Sequence, residues 1–547
     1  MKASLIEECG MEEFTEKERV LLKPFVSNTD KNIFVLKNLP EVVKGALFSR
    51  YSRSTKSLRR VLLDDFIMGG ELNFDELLKA LPKEGGESAV ATKKAEEFYD
   101  RVLIGYGDDS VAELAGAHIA LENISIIATK ILEDARIGLS PLEKSTRYVY
   151  FDQKVDGRWR YYREPVLMKS EFSDVYVESC DRCFETYAKL IPKISEYVKE
   201  KMPTDAGLSE RAYEATVRAK TCDILRGLLP ASTLTNMGFY GNGRGFEYLL
   251  TKLYANELTE AREIAASMEE ELKTVIPSFV KRASSEYGRQ MSEYFLEVEK
   301  NISEVATGMA KSRKYEEVTL VEYDKEAYSK IIAASLYPYT ALTLEELLVY
   351  AKNLSENEKR EIIMKYVGNR KNRRQKPGRG FESIYYTFEI CTNFGAYRDL
   401  HRHRILTQQR QLLTAHLGYK IPQEIISAGY ESEFKDALEG AKNAYEEIAK
   451  KYKKEAQYVV PLAYNIRWQI TLNLREVYHL CELRSTQQGH PDYRIVAQKI
   501  YQKVQEVHPI LAEGMKFVNM KEYTFERLEA EKRTDRKIEE IRKKYGS

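Results

Sequence analysis

The sequence predicts a helix-rich α+β fold, built as two tandem domains that each carry a small antiparallel or mixed sheet. Three observations lead there. Long stretches return apolar residues every three or four positions. Short runs rich in β-branched and aromatic residues interrupt them. A set of polar landmarks recurs later in the chain at a fixed spacing.

The helical periodicity is clearest in "EFKDALEGAKNAYEEIAKKYKKEAQYVV" and "ELTEAREIAASMEEELKTVI". Strands are expected at "NIFVLKN", "TRYVYFD" and "EEVTLVEY", and loops at "EGGESAV" and "NRKNRRQKPGRGFES". The last segment, "FERLEAEKRTDRKIEEIRKKYGS", is charged nearly throughout and reads as a solvated helix or a frayed tail. The mixture of elements is what makes the class α+β.

Composition narrows the function. The chain has 547 residues, 85 basic and 84 acidic, and a formal charge of +1. That balance gives no electrostatic case for nucleic acid as the main partner. No apolar run approaches the roughly 20 residues of a membrane span, and "MKASLIEECGMEEF" lacks a signal-peptide core, so a cytoplasmic protein without a membrane partner is expected. Six cysteines in this length make no disulfide scaffold. Cys180 and Cys183 form a lone C-x-x-C within a helical pattern. With no second pair to complete a zinc site, they read as two ordinary helix cysteines, and no metal is expected.

The repeat organises the chain. "LPASTLTNMGFYGNGRGFEYLLTKLY" from Leu229 aligns with "VPLAYNIRWQITLNLREVYHLCELR" from Val460. Pro230 falls on Pro461, Asn242 on Asn473 and Arg244 on Arg475, each pair 231 residues apart. Upstream, "YGDDSVAELAGAHIALENISIIATKILEDARI" aligns with "PGRGFESIYYTFEICTNFGAYRDLHRHRIL", placing Glu113 on Glu382. The blocks come in the same order in both halves, with a boundary near residues 300–316.

Four clusters carry chemistry. "YRDLHRHRILTQQRQ" gathers Arg398, His401, Arg402, His403 and Arg404. Guanidinium groups suit phosphate oxygens bidentately, so an anion such as a nucleotide diphosphate accounts for the cluster. A surface helix end whose cations answer the dipole is the plainer alternative. In "PLEKSTRYVYF", a Ser-Thr-Arg run offers hydroxyls, backbone N–H groups and a guanidinium to a phosphate, or is simply a strand entry. Arg226 in "ILRGLLP" sits among apolar residues and needs an anion, from the protein or from a ligand. On the helix of "NLREVYHLCELR", Asn473, Arg475, His479 and Arg484 are too polar for a core stripe, and Arg475 and His479 share a face.

R-H-R followed by N-x-R-x-x-x-H-x-x-x-x-R after a P-x-x-Y block resembles the flavin-dependent thymidylate synthases, and each half resembles one subunit of that family. The family's signature continues from R-H-R to a serine and an S-x-R-Y ending. The second half keeps Arg402, His403 and Arg404, but "ILTQQRQLLTAH" lacks that ending. The first half has Glu133, Asp134 and Ala135 at the R-H-R positions yet keeps "EKSTRY", so Glu143, Ser145 and Arg147 fall on the nucleotide loop. Arg226 survives in the first half where the second has Gln457. Arg484 survives in the second half where the first has Leu253. The losses are complementary, which favours a site composed from both halves.

The resemblance implies residues 30–300 as a first domain keeping the phosphate loop, residues 316–520 as a second keeping the flavin motif, and residues 521–547 as a charged C-terminal helix or tail. It implies FAD held by Arg402, His403, Arg404, Asn473, Arg475, His479, His490 and Glu382. A dUMP-like nucleotide would be held by Glu143, Ser145, Thr146, Arg147, Arg226 and Arg484, with Arg484 catalytic against the uracil ring. NADPH and methylenetetrahydrofolate would be co-substrates, and a homodimer would form a pseudo-tetramer. The rival readings are a catalytically inactive or repurposed paralogue that binds FAD or nucleotide, and a basic-helix protein that contacts nucleic acid.

Overall fold

The computed structural model describes residues 12–68, 112–202, 208–309 and 315–546. The chain forms two compact units that interleave in sequence. Unit 1 comprises Met1–Glu122, Ile131–Glu143 and Asn236–Met309. Unit 2 comprises Asn123–Lys130, Lys144–Thr235 and Ala310–Ser547. This division follows a different line from the sequence repeat, because residues 144–235 of the first repeat pack in the unit that holds the second.

The strands in chain order are β1 (Gly116–Ser125), β2 (Leu139–Glu143), β3 (Lys154–Val155), β4 (Arg158–Trp159), β5 (Leu234–Asn242), β6 (Val318–Tyr323), β7 (Tyr385–Asn393), β8 (Leu406–Arg410) and β9 (Asn465–Asn473). One sheet runs β1-β5-β2 and another β6-β7-β9-β8. β1, β5 and β2 thus have the order of β7, β9 and β8. The register repeats too: Leu139 faces Gly241 and Glu143 faces Met237, as Leu406 faces Leu472 and Arg410 faces Trp468. β3 and β4 form a small hairpin whose turn residues, Asp156 and Gly157, both have positive φ, the backbone a two-residue turn demands.

Each long strand feeds a helix through an asparagine cap. The Asn242 side chain accepts from Gly245 N at the start of helix Gly243–Tyr254. The Asn473 side chain accepts from Glu476 N at the start of helix Leu474–Arg484. Such a cap satisfies a backbone donor that the helix cannot. The ion pair after it is repeated as well: Arg244 to Glu113 at 2.7 Å, and Arg475 to Glu382 at 3.2 Å. The sequence alignment had paired these same four residues.

Inside unit 2 the two repeats meet along equivalent segments. Ala231 N donates to Val460 O and Leu462 N to Leu229 O, both at 2.9 Å. Ser232 N donates to Tyr458 O at 3.0 Å and Ala463 N to Gly227 O at 2.9 Å. A shift of 231 residues converts each bond of a pair into the other. Pro230 and Pro461 face each other at the centre in an isolated bridge. This is an isologous contact, residue i to j and j to i, of the kind two identical subunits make. Gly227 permits the approach, since a Cβ there would lie 3.1 Å from the Ala463 Cβ. Helices Ser173–Lys201 and Glu431–Ile448 pack beside the seam.

Several sequence expectations change. "EEVTLVEY" supplies β6, but "NIFVLKN" forms only a single bridge, Leu36 to Val26. "TRYVYFD" is a turn, not a strand. The Ser145 hydroxyl accepts from Arg147 N, and the Arg147 side chain is tethered to Asp223, which together override the local β preference. "NRKNRRQKPGRGFES" is a loop closing in the 3₁₀ turn Arg379–Ser383, while "EGGESAV" lies outside the described residues. The charged terminus is a helix, Leu528–Tyr545, with one face held by Arg211 to Asp535 at 2.6 Å. Cys180 and Cys183 are buried free thiols on Ser173–Lys201. Among the described residues, no helix is long and apolar enough to cross a membrane.

Candidate active site

Of the site residues the sequence singles out, all but Glu143 lie in unit 2. Arg147 leaves the Ser145–Tyr148 turn and enters the core, where it meets Asp223 on helix Glu210–Leu225. Nε and Nη2 donate to the two Asp223 carboxylate oxygens at 2.7 and 2.6 Å. Nη1 donates to the Tyr493 hydroxyl at 3.2 Å, and Nη2 also to Gln488 O at 3.4 Å. Burial would raise the Asp223 carboxyl, but the Arg147 charge and its hydrogen bonds outweigh it and hold the group at about 2. The pair is therefore charged, bidentate and enclosed. Thr146 joins it from the same turn, its hydroxyl accepting from Arg398 Nη1 at 3.3 Å.

Arg226 follows Asp223 by three residues, at the end of the same helix. It is 4% exposed and donates through Nη1 to Asp399 at 3.2 Å, while the buried Nη2 has no partner. Gly395 lets the guanidinium lie close, since a Cβ there would meet Arg226 Nε at 3.2 Å. Asp399 sits near the end of helix Phe394–Leu400. Burial would raise its carboxyl, but Arg226, Arg402, Arg147 and Arg484 hold it well below the usual range. Guanidinium groups from both repeats thus act on one carboxylate.

The R-H-R residues lie in the turn between Phe394–Leu400 and β8 rather than on a helix. His403 is buried, while Arg402 and Arg404 on either side are exposed. His403 Nδ1 lies 2.6 Å from Glu476 Oε1, and Arg484 Nε donates to His403 Nε2 at 2.9 Å. Nε2 must then be the acceptor, which puts the imidazole proton on Nδ1, donated to Glu476. Burial pushes the Glu476 carboxyl up to about 6, against the pull of His479, Lys376, Arg475 and Arg484. Burial drives His479 down to about 4, so it is neutral at pH 7. Its ring centroid lies 5.3 Å from that of His403. Half-buried Arg484 also lies 5.8 Å from the Tyr493 ring, which Arg147 approaches to 5.7 Å.

The remaining expected residues take other places. Arg475 is anchored to Pro377 O at 2.8 Å and to Glu382, one turn before His479. His490 caps helix Pro491–Val507 and lies 3.2 Å from Asp223 O, with the Arg147–Asp223 group rather than with His403. Glu143 belongs to unit 1, at the end of β2. A cavity of about 480 Å³ in unit 2 is bordered by Arg226, Asp223, His490, Asn393, Asp492 and Lys220, a volume within the range of small-molecule sites.

His403, Glu476 and His479 offer donor atoms all within 4.8 Å of one another. Both His403 nitrogens are engaged, however, and Arg475, Arg484 and Lys376 add positive charge around Glu476. The surroundings suit an anion better than a divalent cation. Sequence reading missed the roles of Asp223, Asp399, Glu476 and Tyr493. A carboxylate three residues before Arg226 was the available signal for Asp223.

The model of the thymidylate synthase complementing protein family matches residues 72–278 and 319–510, one segment in each half. The chain belongs to this family, as a tandem duplication. It is 46% identical to a UPF0159 protein of Chlamydia muridarum (strain MoPn / Nigg) over 95% of this chain and 98% of that one. It is 44% identical to a UPF0159 protein of Chlamydia pneumoniae over 96% and 98% of the two chains. For a UPF0159 protein of Thermoplasma acidophilum the figures are 35%, 90% and 98%. Among solved structures, the UMP/dUMP methylase PolB of Streptomyces cacaoi, bound with 5-Br dUMP, is similar over 36% of this chain and 93% of its own. That likeness is 17% identical with a TM-score of 0.28, too low to carry an argument.

Proposed function

We propose that the protein is a flavin-dependent thymidylate synthase-like enzyme that methylates dUMP to dTMP, with methylenetetrahydrofolate and NADPH as co-substrates. The observation that carries this reading is the convergence of Arg147 and Arg226 from one repeat with His403, Arg484 and Asp399 from the other. An enclosed cluster with this much positive charge is suited to an anionic substrate. Family membership supplies the reaction class.

The donor set also fits FAD. Arg402 and Arg404 are exposed on either side of buried His403, as permanently charged groups that can meet a diphosphate. Neutral His479 and anchored Arg475 lie one helical turn apart on the same helix. FAD bound there supplies the hydride carrier of the reaction. Arg484 faces the base and favours negative charge developing on it, while His403, oriented by Glu476, holds the guanidinium in place. Arg147, Arg226, Ser145 and Thr146 receive the nucleotide phosphate, and His490 buttresses them through Asp223. The repeats, residues 30–300 and 316–520, act as two fused subunits, and two chains form the assembly in the cytoplasm.

The test is the visible spectrum of purified protein supplied with excess FAD, followed by dTMP formation from dUMP. Arg402→Ala with Arg404→Ala is expected to strip the flavin, and Arg147→Ala to leave it in place. A wild-type protein that takes up no flavin would overturn the reading.

A further inference from the structure

The family match in the second half ends at residue 510, and the charged C-terminal segment beyond it packs against helix Glu210–Leu225. This segment touches each of the three elements that hold Arg147. On Glu210–Leu225, which carries Asp223, buried Lys220 pairs with buried Glu526 at 3.2 Å, one turn before Asp223. At the other end of that helix, Asp535 accepts from Arg211 Nη2 and from the cap residue Ser209, both at 2.6 Å. On helix Pro491–Val507, which carries Tyr493, Arg494 Nη2 donates to Lys521 O at 2.5 Å, and its guanidinium lies 4.9 Å from the Tyr523 ring. The third element is the Ser145–Tyr148 turn itself. Arg527 Nη1 donates to the Tyr148 hydroxyl, and the guanidinium stands 4.2 Å from the Tyr148 ring centroid. Glu531, one turn along, accepts from Arg527 Nη2 at 3.3 Å and fixes its direction.

The turn belongs to no helix or strand, so its place depends on what its side chains grip. From inside, Arg147 grips Asp223. From outside, the permanently charged, half-buried Arg527 covers the ring of exposed Tyr148, an attraction that strengthens as water is excluded. We propose that the C-terminal segment Lys521–Tyr545 is a strap that positions the nucleotide loop, with Arg527, acting through Tyr148, as a positioning residue for Thr146 and Arg147. This rests on reading Ser145–Arg147 as the loop that receives the nucleotide phosphate. Arg527 acts from behind the loop and touches no ligand. A terminal helix with a purely structural task would alter the stability of the fold and leave nucleotide affinity where it is.

The experiment is calorimetric titration of dUMP into the full chain in the presence of FAD, for wild type, Arg527→Ala, Arg527→Lys, Tyr148→Ala and the double variant Tyr148→Ala with Arg527→Ala. Arg527→Ala is expected to weaken dUMP by about threefold or more while the flavin spectrum stays that of wild type. Arg527→Lys is expected to recover part of that loss, since an ammonium can also stand over the ring. The double variant is expected to bind no more weakly than Tyr148→Ala alone, because the two residues act as one contact. A folded Arg527→Ala chain with a smaller change in dUMP affinity overturns the proposal and leaves the site reading intact. So does a loss that Arg527→Lys does not reduce, or two losses that add in the double variant. Should Arg527→Ala fail to fold, Arg527→Gln keeps the length, removes the charge and is held to the same threshold. If wild type itself binds no dUMP, the reading of the site falls, and the proposal with it.

Discussion

Replacing Asp223 by asparagine tests whether the enclosed Arg147 pair organises the site. The carboxyl stands at about 2 in the folded chain against an ordinary 3.8. At about 1.4 kcal/mol for each tenfold change in proton affinity, ionised Asp223 contributes about 2–3 kcal/mol above pH 4. A depressed acid stabilises the fold above its unfolded value, so this contribution is present above 3.8 and lost as pH falls through 2. The substitution should cost more than that, about 3–5 kcal/mol, because it strands Arg147 without a counter-charge. Removing both partners, as Arg147→Met with Asp223→Leu, should cost clearly less than the two single changes added together. The assay is thermal unfolding at pH 7 of wild type, Asp223→Asn, the single variants Arg147→Met and Asp223→Leu, and the double variant that combines those two. Asp223→Asn melting like wild type, or two single effects that add, would refute the reasoning.

Other expectations follow from the same geometry. Mixing Arg147→Ala with Arg402→Ala chains should restore no activity, because both residues lie in unit 2 of one chain; recovery on mixing would place the site across chains. Burial raises Glu476, so its contribution to stability is full below 4.5 and lost as pH rises through about 6. The melting temperature of Glu476→Gln should accordingly gain on wild type across that window, and a pH-independent difference would contradict the assignment. Gly227→Ala should be tolerated at slight cost, whereas Gly227→Leu should drive side-chain carbon into Ala463 and Phe434 and lower the melting temperature sharply. Native protein should resist alkylation at Cys180 and Cys183, whose thiols burial pushes up, Cys183 to about 12; labelling before unfolding would count against their burial.

Much of the architecture was legible because duplication prints itself twice. The 231-residue offset fixed Asn242 and Asn473 as equivalent, and both are helix caps. The upstream blocks, at the different offset of 269 residues (382 − 113), set Glu113 on Glu382, and both glutamates carry the equivalent ion pair. The need of Arg226 for an anion was also legible from its apolar neighbours, but the identity of the anion was not. Asp399 lies 173 residues away, and nothing local announces that it will answer Arg226 rather than its near neighbour Arg402. "TRYVYFD" failed for a related reason. Its strand preference is local, whereas the Arg147 tether to Asp223 spans 76 residues. His403 was singled out, but its partner Glu476 looked like one more charged residue on a helix until the fold buried it.

The seam at Pro230 and Pro461 changes how the two repeats respond to dilution. A contact between separate subunits weakens as protein concentration falls, since association is a mass-action equilibrium. Here both sides of the contact belong to one covalent chain, so their meeting is unimolecular and their effective concentration is set by the polypeptide between them. The paired bonds from Ala231 to Val460 and from Leu462 to Leu229 therefore persist at concentrations where a dimer of unlinked copies would have come apart. The covalent link also frees the two sides from identity. In a dimer of identical chains every substitution at such a seam appears twice, whereas here Gly227 can remain glycine while its counterpart, Tyr458, is a buried tyrosine.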